Sequence, residues 1–128
     1  MMKYYLTKTV NYTFEEAIER VTTLLKEHGF GVLNTIDIKE TLKKKIDVDF
    51  KRYTILGACN PHSAYKALSL EDKLGVLLPC NVIVIEQDLG VEVCAIDPYS
   101  MMGQLGNKEL LQIAEEVNMH FKEVFEKL

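Results

Sequence analysis

What the sequence lacks narrows its reading first. No run approaches the roughly 18 or more apolar residues of a membrane-spanning helix, and the opening Met1-Met2-Lys3-Tyr4-Tyr5 lacks the apolar centre of a secretory signal. No membrane partner and a cytoplasmic location are therefore expected. Cysteine is scarce and odd in number, three residues in all, which speaks against a disulfide framework and fits reduced thiols. Basic charge is not in excess: 15 Lys and Arg stand against 19 Asp and Glu, a formal charge of −4. Such a balance disfavours phosphate backbones and anionic lipid, so no nucleic-acid partner is expected. Internal repeats, low-complexity segments and linkers are missing. So are the P-loop, the dinucleotide fingerprint, a Ser-His-Asp order and H-E-x-x-H, and no established enzyme class is signalled.

What is present is enough for one ordinary globular domain over residues 1–128. Apolar residues make up 48% and charged ones 27% of the 128, so a core can form without covalent staples. Tyr4 to Val10 is rich in aromatic and β-branched residues and reads as a strand. Thr13 with Glu16 offers a capping box. Phe14, Ala17, Ile18, Val21, Leu24 and Leu25 then recur at helical spacing until Gly29. Phe30 to Ile36 reads as a second strand, and Asp37 with Glu40 caps a short helix whose single apolar face holds Ile38, Leu42 and Ile46. Lys39, Lys43, Lys44, Lys45, Lys51 and Arg52 then fall on a solvated surface.

Tyr53 to Cys59 is a third strand, and Asn60-Pro61 has the cap-then-proline order that opens a helix over His62 to Leu68. Ser69 with Asp72 suggests another helical turn, ended by Gly75 before the buried-looking Val76-Leu77-Leu78. Asn81 to Glu86 and Val91 to Ile96 flank Gln87-Asp88-Leu89-Gly90, a hairpin whose positive-φ residue is Gly90. Tyr99 to Gly106 reads as a loop after Asp97-Pro98, and three readings stay open for Met101-Met102-Gly103: a lid over the strand ends, core filling and a dimer contact. Asn107 caps a long last helix whose stripe is Leu110, Ala114, Val117, Phe121, Val124 and Leu128. The element order with its closing hairpin argues for an α+β fold, a largely antiparallel sheet with helices on one face.

If the third and fourth strands pair antiparallel, Cys59 and Cys80 meet at one end of the sheet, and the hairpin returns Asp97 there. The candidate ligand-binding residues are Cys59, Asn60, His62, Cys80, Asn81 and Asp97. No catalytic residue, cofactor or metal ligand is assigned. Four readings stay open: structural packing and capping; a small-molecule or anion pocket using the helix N-terminus after Asn60, with His62 and Ser63; thiol chemistry at Cys59 and Cys80; and a metal held by Cys59, His62, Cys80 and Asp97. An enzyme with His62 as base and a dimeric interaction module working through a sheet edge or the Met-rich loop are the rivals to ligand binding. Elsewhere, Cys94 is expected to pack as a small hydrophobe, His28 to sit at a helix C-terminus, and His120 to be exposed.

Ala58-Cys59-Asn60-Pro61 and Pro79-Cys80-Asn81-Val82 echo each other. Together with Gly29-Phe30-Gly31-Val32, Tyr53-Thr54-Ile55-Leu56-Gly57 and Ala95-Ile96-Asp97-Pro98, they make the chain resemble the family called domain of unknown function 302 over residues 3–98. The resemblance implies a curved, largely antiparallel five-stranded sheet like that of the TATA-binding protein, and a homodimer. It implies no activity, because the family carries no agreed one.

Overall fold

The computed structural model describes residues 3–128. Five strands form one open antiparallel sheet: β1 (Tyr5–Val10), β2 (Gly31–Asp37), β3 (Tyr53–Cys59), β4 (Cys80–Gln87) and β5 (Gly90–Ile96), in the spatial order β1-β5-β4-β3-β2. The α+β expectation with an antiparallel sheet holds. Every neighbouring pair is antiparallel, and a bulge between Val32 and Asn34 shifts the register of β2 on β3.

Local chemistry explains the helices. Thr13 opens α1 (Phe14–Glu27) by accepting the Glu16 N–H, Asp37 opens α2 (Ile38–Ile46), and Asn60 opens α3 (Pro61–Leu70) with proline in its first turn. A 3₁₀ segment follows at Asp72–Leu77. Asp97 and Pro98 repeat the Asn60-Pro61 signal and start α4 (Pro98–Met102), which continues into a 3₁₀ turn at Gly103–Leu105. The expected loop over Tyr99 to Gly106 is therefore mostly helical, because Asp97 accepts the N–H groups of Tyr99 and Ser100. Asn107 caps α5 (Lys108–Lys127) in the same way.

The main core lies between one sheet face and the helices α1 and α5. Period-2 alternation sends Leu56, Ala58, Val82, Val84, Val91, Val93 and Ala95 to that face, where they meet Val21 and Leu25 of α1 and Val117, Phe121 and Val124 of α5. Each such fully buried Val, Leu or Phe contributes about 1.5–3 kcal/mol. A second cluster at the strand ends joins Ala67, Leu74, Met102, Leu110 and Ala114. Two expectations fail here. Val76 is 87% exposed, because the 3₁₀ turn points it outward while Leu74 goes in. The apolar face of α2 packs only in part: Ile38 and Leu42 are half-buried where the helix meets β3, but Ile46 at its end is 63% exposed.

Gly90 pairs with Gln87 across a two-residue turn at φ +145°, and a Cβ there would stand 2.9 Å from the carbonyl oxygen of Val10. Both backbone strain and the close approach of β1 demand glycine. Gly90→Ala is expected to destabilise the chain by about 1–3 kcal/mol in chemical denaturation. Gly75→Ala, where a Cβ meets nothing within 4 Å, is the control and should change stability by less than about 0.5 kcal/mol.

Candidate functional site

The register Ala58↔Cys80 sets the end of β3 beside the start of β4, and the chain turns at Asn60 into α3 directly above. An apolar cavity of about 30 Å³ lies there, between the two cores. Cys59, Asn60, Ser63 and Cys80 border it with Phe30, Pro98 and Met102. The two thiols are near enough that negative charge on Cys59 would disfavour ionisation of Cys80. A space of this size has room for about two waters, yet an apolar lining keeps such a space dry.

The other three candidates stand elsewhere. Asn81 is exposed and borders the groove on the opposite sheet face. Adjacent strand residues point to opposite faces, so Cys80 and Asn81 cannot serve one pocket from within the ladder. His62 is exposed in the first turn of α3. Asp97 spends its carboxylate on the cap of α4, and it is Pro98 that borders the cavity. Among the described residues no third Cys, His, Asp or Glu joins Cys59 and Cys80 at metal-ligand spacing.

The first turn of α3 has no donor to spare. Pro61 lacks an N–H, the N–H groups of His62 and Ser63 donate to Asn60 Oδ1 at 3.1 and 3.2 Å, and that of Ala64 donates to the Asn60 carbonyl at 2.9 Å. An anion would find these groups taken. In the Met-rich segment Met102 fills the core, as one of the readings expected: it is 6% exposed and packs in the second cluster.

Burial decides the state of the thiols. It raises Cys59, and it pushes Cys80 up to about 11, with the neighbouring Cys59 adding to the effect. The helix dipole at Cys59 does not overcome the loss of water, so both sulfurs stay protonated near neutral pH. Cys94 is also raised by burial and lies on the opposite sheet face, its Sγ donating to Thr7 Oγ1 at 3.4 Å. That face also holds Tyr5, Tyr53, Ile55, Ile83, Ile85 and Ile96, which alternation directs away from α1 and α5. Its groove measures about 360 Å³. Glu92 sits at the hairpin end of this face, accepting Thr7 Oγ1 at 2.6 Å and Gln87 Nε2 at 2.9 Å, bonds that hold its carboxyl below the usual range.

The grouping of His28, His120 and Glu123 was missed. His28 Nδ1 lies 3.1 Å from His120 Nδ1 and 3.5 Å from Glu123 Oε2, and His120 is half-buried against the expectation of exposure. The i,i+3 spacing of His120 and Glu123 on one helix was the only local signal, and nothing in it points to His28.

Cys80 ties stability to alkaline pH. The folded chain holds its thiol proton more tightly than the unfolded chain, so this contribution is complete below the ordinary thiol value of 9.0 and is lost as pH rises through about 11. A rise of that size corresponds to about 3 kcal/mol. Denaturant titrations from pH 9 to 11 are expected to show wild type losing more stability than Cys80→Ala by up to about that amount. Parallel losses in the two proteins would exclude this role for the Cys80 proton.

The model of the family described as domain of unknown function DUF302 matches residues 6–128. The chain is also similar to an uncharacterised conserved DUF302 protein from Bacillus stearothermophilus, known from a crystal structure, with 28% identity, a TM-score of 0.91 and 98% of each chain covered. No curated protein matches. With the antiparallel sheet, the helical layer and a family match that begins in β1 and ends with α5, the chain belongs to the DUF302 family.

Proposed function

We propose that this chain is a non-catalytic binding module that acts as a pair of copies, joined through the open faces of their sheets. The observation that carries the reading is the Ile-rich face itself. An antiparallel sheet with one solvated face ordinarily turns polar side chains to water. Here the outward positions of β3, β4 and β5 hold half-buried Ile55, Ile83 and Ile96 with Ile85 and Cys94 buried among them, and among the described residues the helices α1 and α5 pack on the other face. A contiguous apolar patch rimmed by polar groups is the signature of an interaction surface, and Glu92, Gln87 and Thr7 supply such a rim. A second copy matches it by symmetry, placing isoleucine against isoleucine about a two-fold axis. Three unpaired cysteines favour a reducing compartment such as the cytoplasm.

The strand-end cavity supports a second reading, a site for a small, largely apolar ligand. Cys59, Asn60 and Cys80 border it, and Asn60 holds α3 over its mouth. Neutral thiols in an apolar lining favour binding over nucleophilic or redox chemistry. Its volume requires α3 to move outward for anything larger than a few atoms.

Native mass spectrometry of chain purified without reductant or chelator reports copy number and retained mass together. Two copies per particle are expected. Ile83→Glu should weaken self-association by about a hundredfold or more, because an unpaired charge would be buried against its symmetry mate. Leu89→Glu, at the hairpin tip and 92% exposed, should leave association unchanged. A chain that stays single at micromolar concentration overturns the paired reading; a retained small mass that disappears in Asn60→Ala supports the cavity reading.

A further inference from the structure

We propose that His28, His120 and Glu123 form a binding site for a divalent transition-metal ion of the zinc class. Two elements far apart in sequence deliver the donors. His28 terminates α1 as its C-cap, where its backbone N–H is fixed on the carbonyls of Leu25 and Lys26. His120 and Glu123 stand one turn apart on α5, and spacing of i and i+3 sets both side chains on one face of that helix. The packing of α1 on α5 through the core then brings the three donor atoms within 4.8 Å of one another.

The separations suit coordination. Bonds of about 2.0–2.1 Å to a tetrahedral ion place neighbouring donors roughly 3.3 Å apart. His28 Nδ1 is 3.1 Å from His120 Nδ1 and 3.5 Å from Glu123 Oε2, so these gaps already approximate tetrahedral edges. Only one hydrogen fits between two ring nitrogens at 3.1 Å, so at least one of them turns a lone pair toward the other. A metal ion would use both lone pairs.

The surroundings hold the rings in place. The His28 side chain is 10% exposed, and the His120 ring stands edge-on to His28 and to Phe30, which in turn packs on Phe121. Glu123 is 54% exposed and leaves one side of the group open to solvent, where a water would complete the four positions. Two histidines, one carboxylate and water make a donor set that suits zinc, with borderline preference over hard cations such as magnesium.

Titration of tag-free chain with Zn²⁺ by calorimetry is expected to give one ion per chain. Glu123→Gln, a change at a largely exposed side chain, should weaken binding by about tenfold or more, and His120→Asn should abolish it. Glu115→Gln on the solvent side of α5 is expected to leave the affinity unchanged. Co²⁺ as substitute should show visible ligand-field bands without the near-ultraviolet charge transfer of thiolate ligation, which separates this site from Cys59 and Cys80. The proposal is overturned by a chain that takes up no zinc, by equal affinity in Glu123→Gln and wild type, or by a thiolate band. The pair of rings would then be a hydrogen-bonded clamp between α1 and α5.

Discussion

The apolar stripe of α5 holds the two parts of the molecule together. Val117, Phe121, Val124, Phe125 and Leu128 belong to the core beneath the sheet, while Leu110 and Ala114, one to two turns earlier, belong to the cluster at the strand ends. One helix therefore spans both, and the cavity at Cys59 and Cys80 lies where they meet. The end of the helix is tied down as well: Lys8 Nζ donates to the main-chain oxygens of Phe125 and Leu128 at 2.9 and 2.7 Å, a cation where the helix dipole is negative. Because α5 also meets α1, it carries His120 and Glu123 to His28. The strand-end cavity and the histidine cluster thus share a single support.

A second constraint, the alternation of strand side chains, divides the chemistry between two surfaces. One face is covered and takes Val82, Val84, Val93 and Ala95; the other takes Ile83, Ile85, Cys94 and Ile96. The motif Cys80-Asn81 is split by the same rule, its sulfur facing the cavity and its amide the open side. Removal from water then keeps the thiols neutral, and the capping bonds of Asn60 leave α3 without free donors. What these residues give the cavity is an apolar lining.

Much of the fold was legible because its signals are local. Thr13, Asp37, Asn60 and Asn107 each cap a helix through a side chain within three residues of the N–H it accepts, and such bonds need no tertiary partner. The hairpin at Gly90 and the third strand at Tyr53–Cys59 were equally plain. Where the reading failed, a local signal was overlooked or a tertiary neighbour was assumed. Asp97-Pro98 carries the same start signal as Asn60-Pro61, yet its methionines and glycines suggested a loop. Val76 and Ile46 look apolar enough for a core, but among the described residues no element covers either, and hydrophobic composition says nothing about coverage.

The amino-acid order by itself determined the helix starts, the strands, the hairpin, the α+β class and the meeting of Cys59 with Cys80 at one sheet end. Each follows from hydrogen bonds and periodicities that reach a few residues along the chain, or from one antiparallel pairing. Only the tertiary structure decided that the isoleucine-bearing face lies away from the helical layer and that His28 meets His120 across 92 residues. Those outcomes depend on how α1 and α5 pack on the sheet, and packing angles between helices are set by many shared contacts that no local pattern encodes.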